Sequence, residues 1–189
     1  MPEIIEAFRA VSRRDFLTEN QQVHEADDRP LPIGYGQTNS QPSTVALMLE
    51  LLQPQSGETI LDVGAGSGWT TALLAHIVGA EGRVYGVELI KELVTFGSSN
   101  LARYNFSNAD IRQTGKALGL PEQGPFDGII VSAAAQRLPY SLVEQLNPEG
   151  RIVLPVEESL LVVRKTASGE ITTEEYPGFA FVPLHMGDS

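Results

Sequence analysis

The chain contains no cysteine and only three histidines, His24, His76 and His185, across 189 residues. Disulfides, thiolate catalysis and cysteine-ligated metals are therefore excluded. Three widely separated histidines also leave little with which to build a histidine metal cluster, and no metal is expected. Positive charge is scarce: Lys and Arg number 13 against 24 Asp and Glu, a net charge of −11. Holding a phosphate backbone draws on clustered cations, so nucleic acid is not an expected partner. Apolar runs are short. Nothing approaches the ~18 consecutive apolar residues of a membrane span, and no membrane partner is expected. The first residues, MPEIIEAFRAVSRRDF, carry interspersed charges and lack the uninterrupted apolar centre of a secretory signal. Cytoplasmic residence and a monomer are the corresponding expectations.

What is present is a strand, a glycine turn and a helix. Thr59–Gly68 reads TILDVGAGSG, with Gly64, Gly66 and Gly68 at alternating positions before the helical run Trp69–Val78. The spacing does not fit the dinucleotide fingerprint G-x-G-x-x-G, because Trp69 stands at its last glycine, and no G-K-[ST] phosphate loop follows. Asp62 precedes the first glycine by two, and a second apolar run, Arg83–Val87, closes on Glu88. An acid at the end of the second strand is placed to accept both hydroxyls of a ribose. A glycine loop without phosphate-binding features, flanked by two acids, suits a nucleoside carrying positive charge. S-adenosylmethionine (AdoMet) is such a ligand, with Asp62, Gly64, Ala65, Gly66, Gly68 and Glu88 as its candidate contacts.

The remaining chain alternates strand and helix. Apolar spacing predicts a helix over Pro2–Phe16, an irregular connector over Gln21–Pro30, and a shaped loop over Leu31–Ser43. A helix over Val45–Leu52 follows, with Ser43 or Thr44 as its cap. Strands are expected at Thr59–Val63, Arg83–Val87, Asp110–Gln113, Asp127–Ser132 and Arg151–Val156. The helices between them are Trp69–Val78, Lys91–Tyr104 and Pro139–Leu146. Ser159–Lys165 and Ile171–Tyr176 flank a turn at Ser168–Gly169 and read as a hairpin. The fold expected is α/β: a doubly wound, mostly parallel Rossmann-like sheet with an antiparallel C-terminal hairpin and an N-terminal helical extension. One domain is expected over 1–189. Its parts are a helical extension with the active-site loop (1–56), a cofactor core (57–156) and a C-terminal hairpin with a substrate segment (157–189).

Several segments together resemble the protein-L-isoaspartate O-methyltransferases. They are LPIGYGQTNSQPSTVALMLELL (Leu31–Leu52), LDVGAGSGWTTALLA (Leu61–Ala75), VYGVE (Val84–Glu88), PFDGIIVSAAA (Pro125–Ala135), EQLNPEGRIVLPV (Glu144–Val156) and FAFVPL (Phe179–Leu184). The glycine loop points only to class I methyltransferases, whereas GQTxSQP and the terminal FVPL are more specific. The resemblance implies AdoMet-dependent methylation of the free carboxylate of L-isoaspartyl residues in damaged proteins and peptides, which starts their repair through a succinimide. It also implies roles: Ser40 at the active site, Thr38 shaping the same loop, and Val182, Pro183 and Leu184 lining the isoaspartyl site.

The chain departs from that family at several points. Asn39 replaces the usual isoleucine between Thr38 and Ser40. The Gly-Asp-Gly turn whose acid meets adenine reads Thr114-Gly115-Lys116. Pro-Val-Gly reads Pro155-Val156-Glu157, Glu158 falls where the family often has glutamine, and an Ala-Tyr pair reads Glu25-Ala26. Losing one adenine hydrogen bond costs ~1 kcal/mol, which weakens AdoMet binding without abolishing it. Two alternatives therefore stay open: a class I methyltransferase with another acceptor, and a non-catalytic AdoMet- or protein-binding relative.

Overall fold

In the computed structural model, residues 2–115 and 117–185 are described. The sequence's strand–helix alternation becomes a seven-stranded sheet in the order β5-β4-β3-β6-β7-β8-β9. Its strands are β3 (Thr59–Val63), β4 (Arg83–Glu88), β5 (Ala109–Gln113), β6 (Phe126–Val131), β7 (Leu146–Val156), β8 (Ser159–Lys165) and β9 (Ile171–Pro177). β5, β4, β3, β6 and β7 run parallel, and β8 and β9 close the sheet antiparallel. The fold class is the expected α/β one.

Period-two alternation sends successive side chains of each strand to opposite faces. Ile60, Ile130, Val153 and Val162 pack on the face covered by α1 (Pro2–Ala10), α2 (Pro42–Leu52), α3 (Trp69–Val78) and α4 (Lys91–Leu101). Their neighbours Leu61, Ile129, Ile152 and Val163 pack on the other face, beneath Leu142 and Val143 of α5 (Tyr140–Val143) and Leu120. Strands buried on both sides explain why the sequence shows continuous apolar runs there.

Local boundaries differ from the sequence expectation for identifiable reasons. Leu31–Ser43 is not merely a loop: β1 (Leu31–Gly34) and β2 (Gln37–Asn39) pair antiparallel. Tyr35 (φ 56°) and Gly36 (φ 72°) form the two-residue turn, both left-handed, which matches strand twist. The helix after it starts at Pro42 rather than Val45, and neither Ser43 nor Thr44 caps it. Asp28, from the preceding connector, accepts the Ser43 N–H at 2.9 Å instead. That bond is the main reason the Asp28 carboxyl sits below its ordinary range. The first helix ends at Ala10, because Ser12 turns its N–H to the Tyr104 hydroxyl at 3.0 Å. α5 is shorter and β7 longer than expected. Phe126 N–H donates to the Gln145 carbonyl at 2.8 Å and Phe126 pairs with Leu146, so sheet pairing captures residues that helical spacing had claimed. Glu157, where the family resemblance expects glycine, holds φ 52° in the tight β7–β8 turn. No helix among the described residues is long and apolar enough to cross a membrane.

Candidate active site

The chain leaves β3 toward β4 on one side and reaches β6 on the other, so the carboxyl ends of β3, β4 and β6 border a crevice. Such a switch point is where open α/β sheets take their ligands. Here it is a cleft of about 950 Å³, counting its open mouth.

Its floor is the glycine loop. Gly64, Gly66 and Gly68 all have positive φ (82°, 52° and 89°), which a side chain would strain. The loop is tied down from three directions. Gly64 and Ala65 N–H groups donate to the Val87 carbonyl at 2.9 and 3.0 Å. Gly66 N–H donates to Glu88 Oε2 at 2.9 Å. Asn100 Nδ2, from α4, donates to the Ser67 carbonyl at 3.1 Å. Glu88 also accepts the Ile90 N–H on Oε1 at 3.0 Å. Each carboxylate oxygen offers two acceptor sites, so one remains on each for a ribose hydroxyl. The protein bonds fix the direction in which those sites point.

The walls come from distant segments. Thr38, Asn39 and Ser40 contribute one side, and Ser132 and Ala133 at the end of β6 another. Val182, Pro183 and Leu184 complete it. That segment is held by main-chain bonds: Ala134 N–H donates to the Val182 carbonyl at 2.7 Å and Leu184 N–H to the Ala134 carbonyl at 2.8 Å. The Ser40 carbonyl accepts from Arg13 Nη2 at 3.0 Å, while its half-buried side chain borders the cleft.

Of the residues proposed from sequence, Thr38, Ser40, Gly64, Ala65, Gly66, Glu88, Val182, Pro183 and Leu184 all line this one cleft. Asp62 and Gly68 do not. Gly68 stands behind the loop, where a Cβ would meet Ile111 at 2.9 Å and the Gly97 carbonyl at 3.1 Å. Asp62 is fully buried under the loop and accepts the Thr71 hydroxyl at 2.6 Å on Oδ2. Its Oδ1 has no partner among the described residues. Thr114 and Gly115 line the cleft, whereas Lys116 lies outside the described residues. Glu157 and Glu158, two of the departures from the family pattern, sit in the exposed β7–β8 turn and do not line the cleft. There the Glu158 carbonyl receives the Gly178 and Phe179 N–H groups, both at 2.9 Å. Trp69 borders the cleft and packs edge-on against Phe8, so it serves core and site together. His185 is exposed and stands at the cleft's rim. Gly97 was missed altogether, although a glycine inside a helix is unfavourable enough to be a signal.

Burial pushes the Asp62 carboxyl up to about 7 from its ordinary 3.8, Thr71's hydrogen bond opposing and nearby Glu88 adding to the rise. The folded chain then holds a proton that the unfolded chain releases. This contribution to stability is fully present below pH 4 and is lost as pH rises toward 7. Its full size is on the order of 4 kcal/mol. Asp62→Asn keeps the acceptor for Thr71 and removes the titration. Urea midpoints at pH 4.5 and 8 should fall with pH in the parent and stay nearly level in the variant; parallel slopes would contradict this assignment.

These features fit AdoMet. The glycine loop admits close approach, and each carboxylate oxygen of Glu88 keeps an acceptor site for a ribose hydroxyl. Comparison with known proteins points the same way. The family described as Protein-L-isoaspartate(D-aspartate) O-methyltransferase matches residues 1–189. Protein-L-isoaspartate O-methyltransferase 2 of Nitrosococcus oceani is 43% identical over 185 residues, 96% of this chain and 83% of that protein. The Protein-L-isoaspartate O-methyltransferase of Methanococcoides burtonii is 42% identical over 184 residues, 96% of this chain and 91% of its own. A crystal structure of a Plasmodium falciparum protein described as a protein-L-isoaspartate O-methyltransferase, in complex with S-adenosyl-L-homocysteine, has a TM-score of 0.85 at 27% identity. It covers 98% of this chain and 91% of that one.

Proposed function

The chain belongs to the protein-L-isoaspartate(D-aspartate) O-methyltransferase family, and from that premise we propose how its residues divide the work. The reaction is AdoMet-dependent O-methylation of the free carboxylate of L-isoaspartyl residues. One observation carries the assignment of roles: the glycine loop with Glu88, the Thr38–Ser40 segment and Val182–Leu184 converge on a single cleft.

AdoMet supplies a methyl group already activated by its sulfonium. The chain's own residues then have positioning to do. Glu88 holds the ribose hydroxyls, and the glycine loop admits the methionine end close to the backbone. The Ser40 hydroxyl donates to the acceptor carboxylate, Thr38 shapes that loop, and Val182–Leu184 hold the acceptor from the opposite wall. A carboxylate with a pKa near ~4 is ionised at neutral pH, so no strong general base is required. Excluding water from the carboxylate oxygen and aligning it supply most of the rate. The substrates are isoaspartyl proteins and peptides, with a monomer working in the cytoplasm as the accompanying reading; sedimentation tests the first part and cell fractionation the second.

The test is transfer of labelled methyl from AdoMet to two peptides differing only in isoaspartyl or aspartyl at one position. Base-labile label on the isoaspartyl peptide alone is the expected outcome. Label on neither peptide, with AdoMet still bound, would move the assignment to another acceptor.

A further inference from the structure

We propose that Asn39 is a positioning residue that couples occupancy of the cofactor loop to the geometry of the acceptor loop. The proposal rests on the roles given above, in which Thr38 and Ser40 meet the acceptor and the glycine loop meets the cofactor.

Asn39 ends β2 and is turned into the body of the protein, 4% exposed. Arg13 Nε donates to Asn39 Oδ1 at 2.8 Å. A guanidinium has no acceptor, so this bond fixes which end of the amide faces Arg13. The amide nitrogen is left facing the glycine loop, where Nδ2 donates to Ser67 Oγ at 3.1 Å. Ser67 is 2% exposed and belongs to the cleft lining. One side chain thus joins the segment between Thr38 and Ser40 to the loop between Gly66 and Gly68.

The other end of this strut is anchored. Arg13 also donates to the carbonyls of Asp27 (2.8 Å), Arg29 (2.8 Å) and Ser40 (3.0 Å). Its guanidinium lies 5.5 Å from the centre of the Trp69 ring at the start of α3. The acceptor loop is therefore held by a buried cation that cannot move without breaking several bonds. An isoleucine at this position would fill the space but could neither accept from Arg13 nor donate to Ser67. Any shift of Ser67 when the cofactor loop fills must be transmitted through Asn39 or break a buried hydrogen bond. By linkage, cofactor and acceptor then strengthen each other's binding by the same factor.

The test uses S-adenosylhomocysteine (AdoHcy) with the parent chain, Asn39→Ile, Asn39→Asp and Ser67→Ala. Amide exchange over 37–40 is measured with and without AdoHcy, and isoaspartyl peptide affinity under the same two conditions. In the parent chain AdoHcy should slow exchange over 37–40 and tighten peptide binding about fivefold or more. Asn39→Ile and Ser67→Ala should lose both effects. Asn39→Asp should keep them, because its carboxylate still accepts from Arg13 and the Ser67 hydroxyl can donate to it. A cooperative melt recorded for each variant, together with recovery of the coupling in Asn39→Asp, separates loss of the strut from loss of the fold. Absence of coupling in the parent, or its survival in both Asn39→Ile and Ser67→Ala, overturns the proposal. If no isoaspartyl peptide binds, the acceptor assignment fails, and amide exchange still decides the strut.

Discussion

Gly97→Val is expected to weaken cofactor binding by about ten- to a hundredfold, although residue 97 lies outside the cleft. Gly97 sits inside α4, and a Cβ there would stand 2.8 Å from the Gly66 carbonyl oxygen, 2.9 Å from Ile111 Cδ1 and 3.2 Å from the Ser67 carbonyl carbon. Two of these three obstacles are backbone atoms of the glycine loop itself, which cannot rotate aside. Two effects compete. Removing glycine from a helix interior favours the helix by ~1 kcal/mol. Overpacking a closed contact costs ~1–3 kcal/mol, and more for valine than for alanine. The clash wins, and it is relieved by displacing the loop that must hold the cofactor. Calorimetric titration with AdoHcy measures the effect. Because valine could also impair folding, Gly97→Ala supplies the milder case, with at least a tenfold weaker affinity in a chain that still melts cooperatively (~1.4 kcal/mol). A Gly97→Ala chain that gains stability and keeps its affinity would show that α4 does not position the loop.

Ser40→Ala should lower kcat/KM for an isoaspartyl peptide by about ten- to a hundredfold. A hydrogen bond to a charged group is worth ~1.5–3 kcal/mol, and this one is assigned to the substrate carboxylate. The contact that anchors Ser40 is made by its carbonyl, which accepts from Arg13, so alanine leaves the loop in place. AdoHcy affinity and melting temperature should accordingly match the parent. Turnover at the parent rate with an unchanged peptide KM would remove Ser40 from the mechanism. A fall in AdoHcy affinity equal to the fall in turnover would instead make it a structural part of the cofactor site.

Both predictions concern the same division between near and distant information. The strand–glycine–helix unit at Thr59–Val78 was legible because every part of its signal lies within twenty residues and each part has a local cause. Apolar β-branched residues favour a buried strand, and glycines permit the left-handed turn. Glu88 was legible for a similar reason, since an acid closing the second parallel strand lands beside the first strand's loop. The parallel sheet and its antiparallel end followed from the alternation of elements.

Other features required contacts that sequence spacing does not encode. Asp62 is an acid like Glu88 and stands two residues before the first glycine, yet it points beneath the loop to Thr71 and not into the cleft. Strand alternation gives a residue's face relative to its neighbours, but which face meets ligand depends on what covers the sheet. The hairpin at Leu31–Asn39 was hidden because its strands are short and interrupted by proline and glycine. Only the left-handed Tyr35–Gly36 turn brings them into register. Helix α2 takes its cap from Asp28, fifteen residues upstream. Gly97 acquires meaning only when α4 arrives against the glycine loop, and Asn39 only when it stands between Arg13 and Ser67.

By itself, then, the sequence determined the sheet, the kind of ligand its glycine loop suits and the family whose chemistry it shares, because those depend on local conformational preference and on motifs contiguous in the chain. Tertiary structure alone decided which acid faces the cleft, what ties the Thr38–Ser40 segment to the glycine loop, and where no side chain can be added. Each of these depends on the approach of segments far apart in sequence, where burial, hydrogen-bond direction and a few tenths of an ångström of clearance outweigh any local preference.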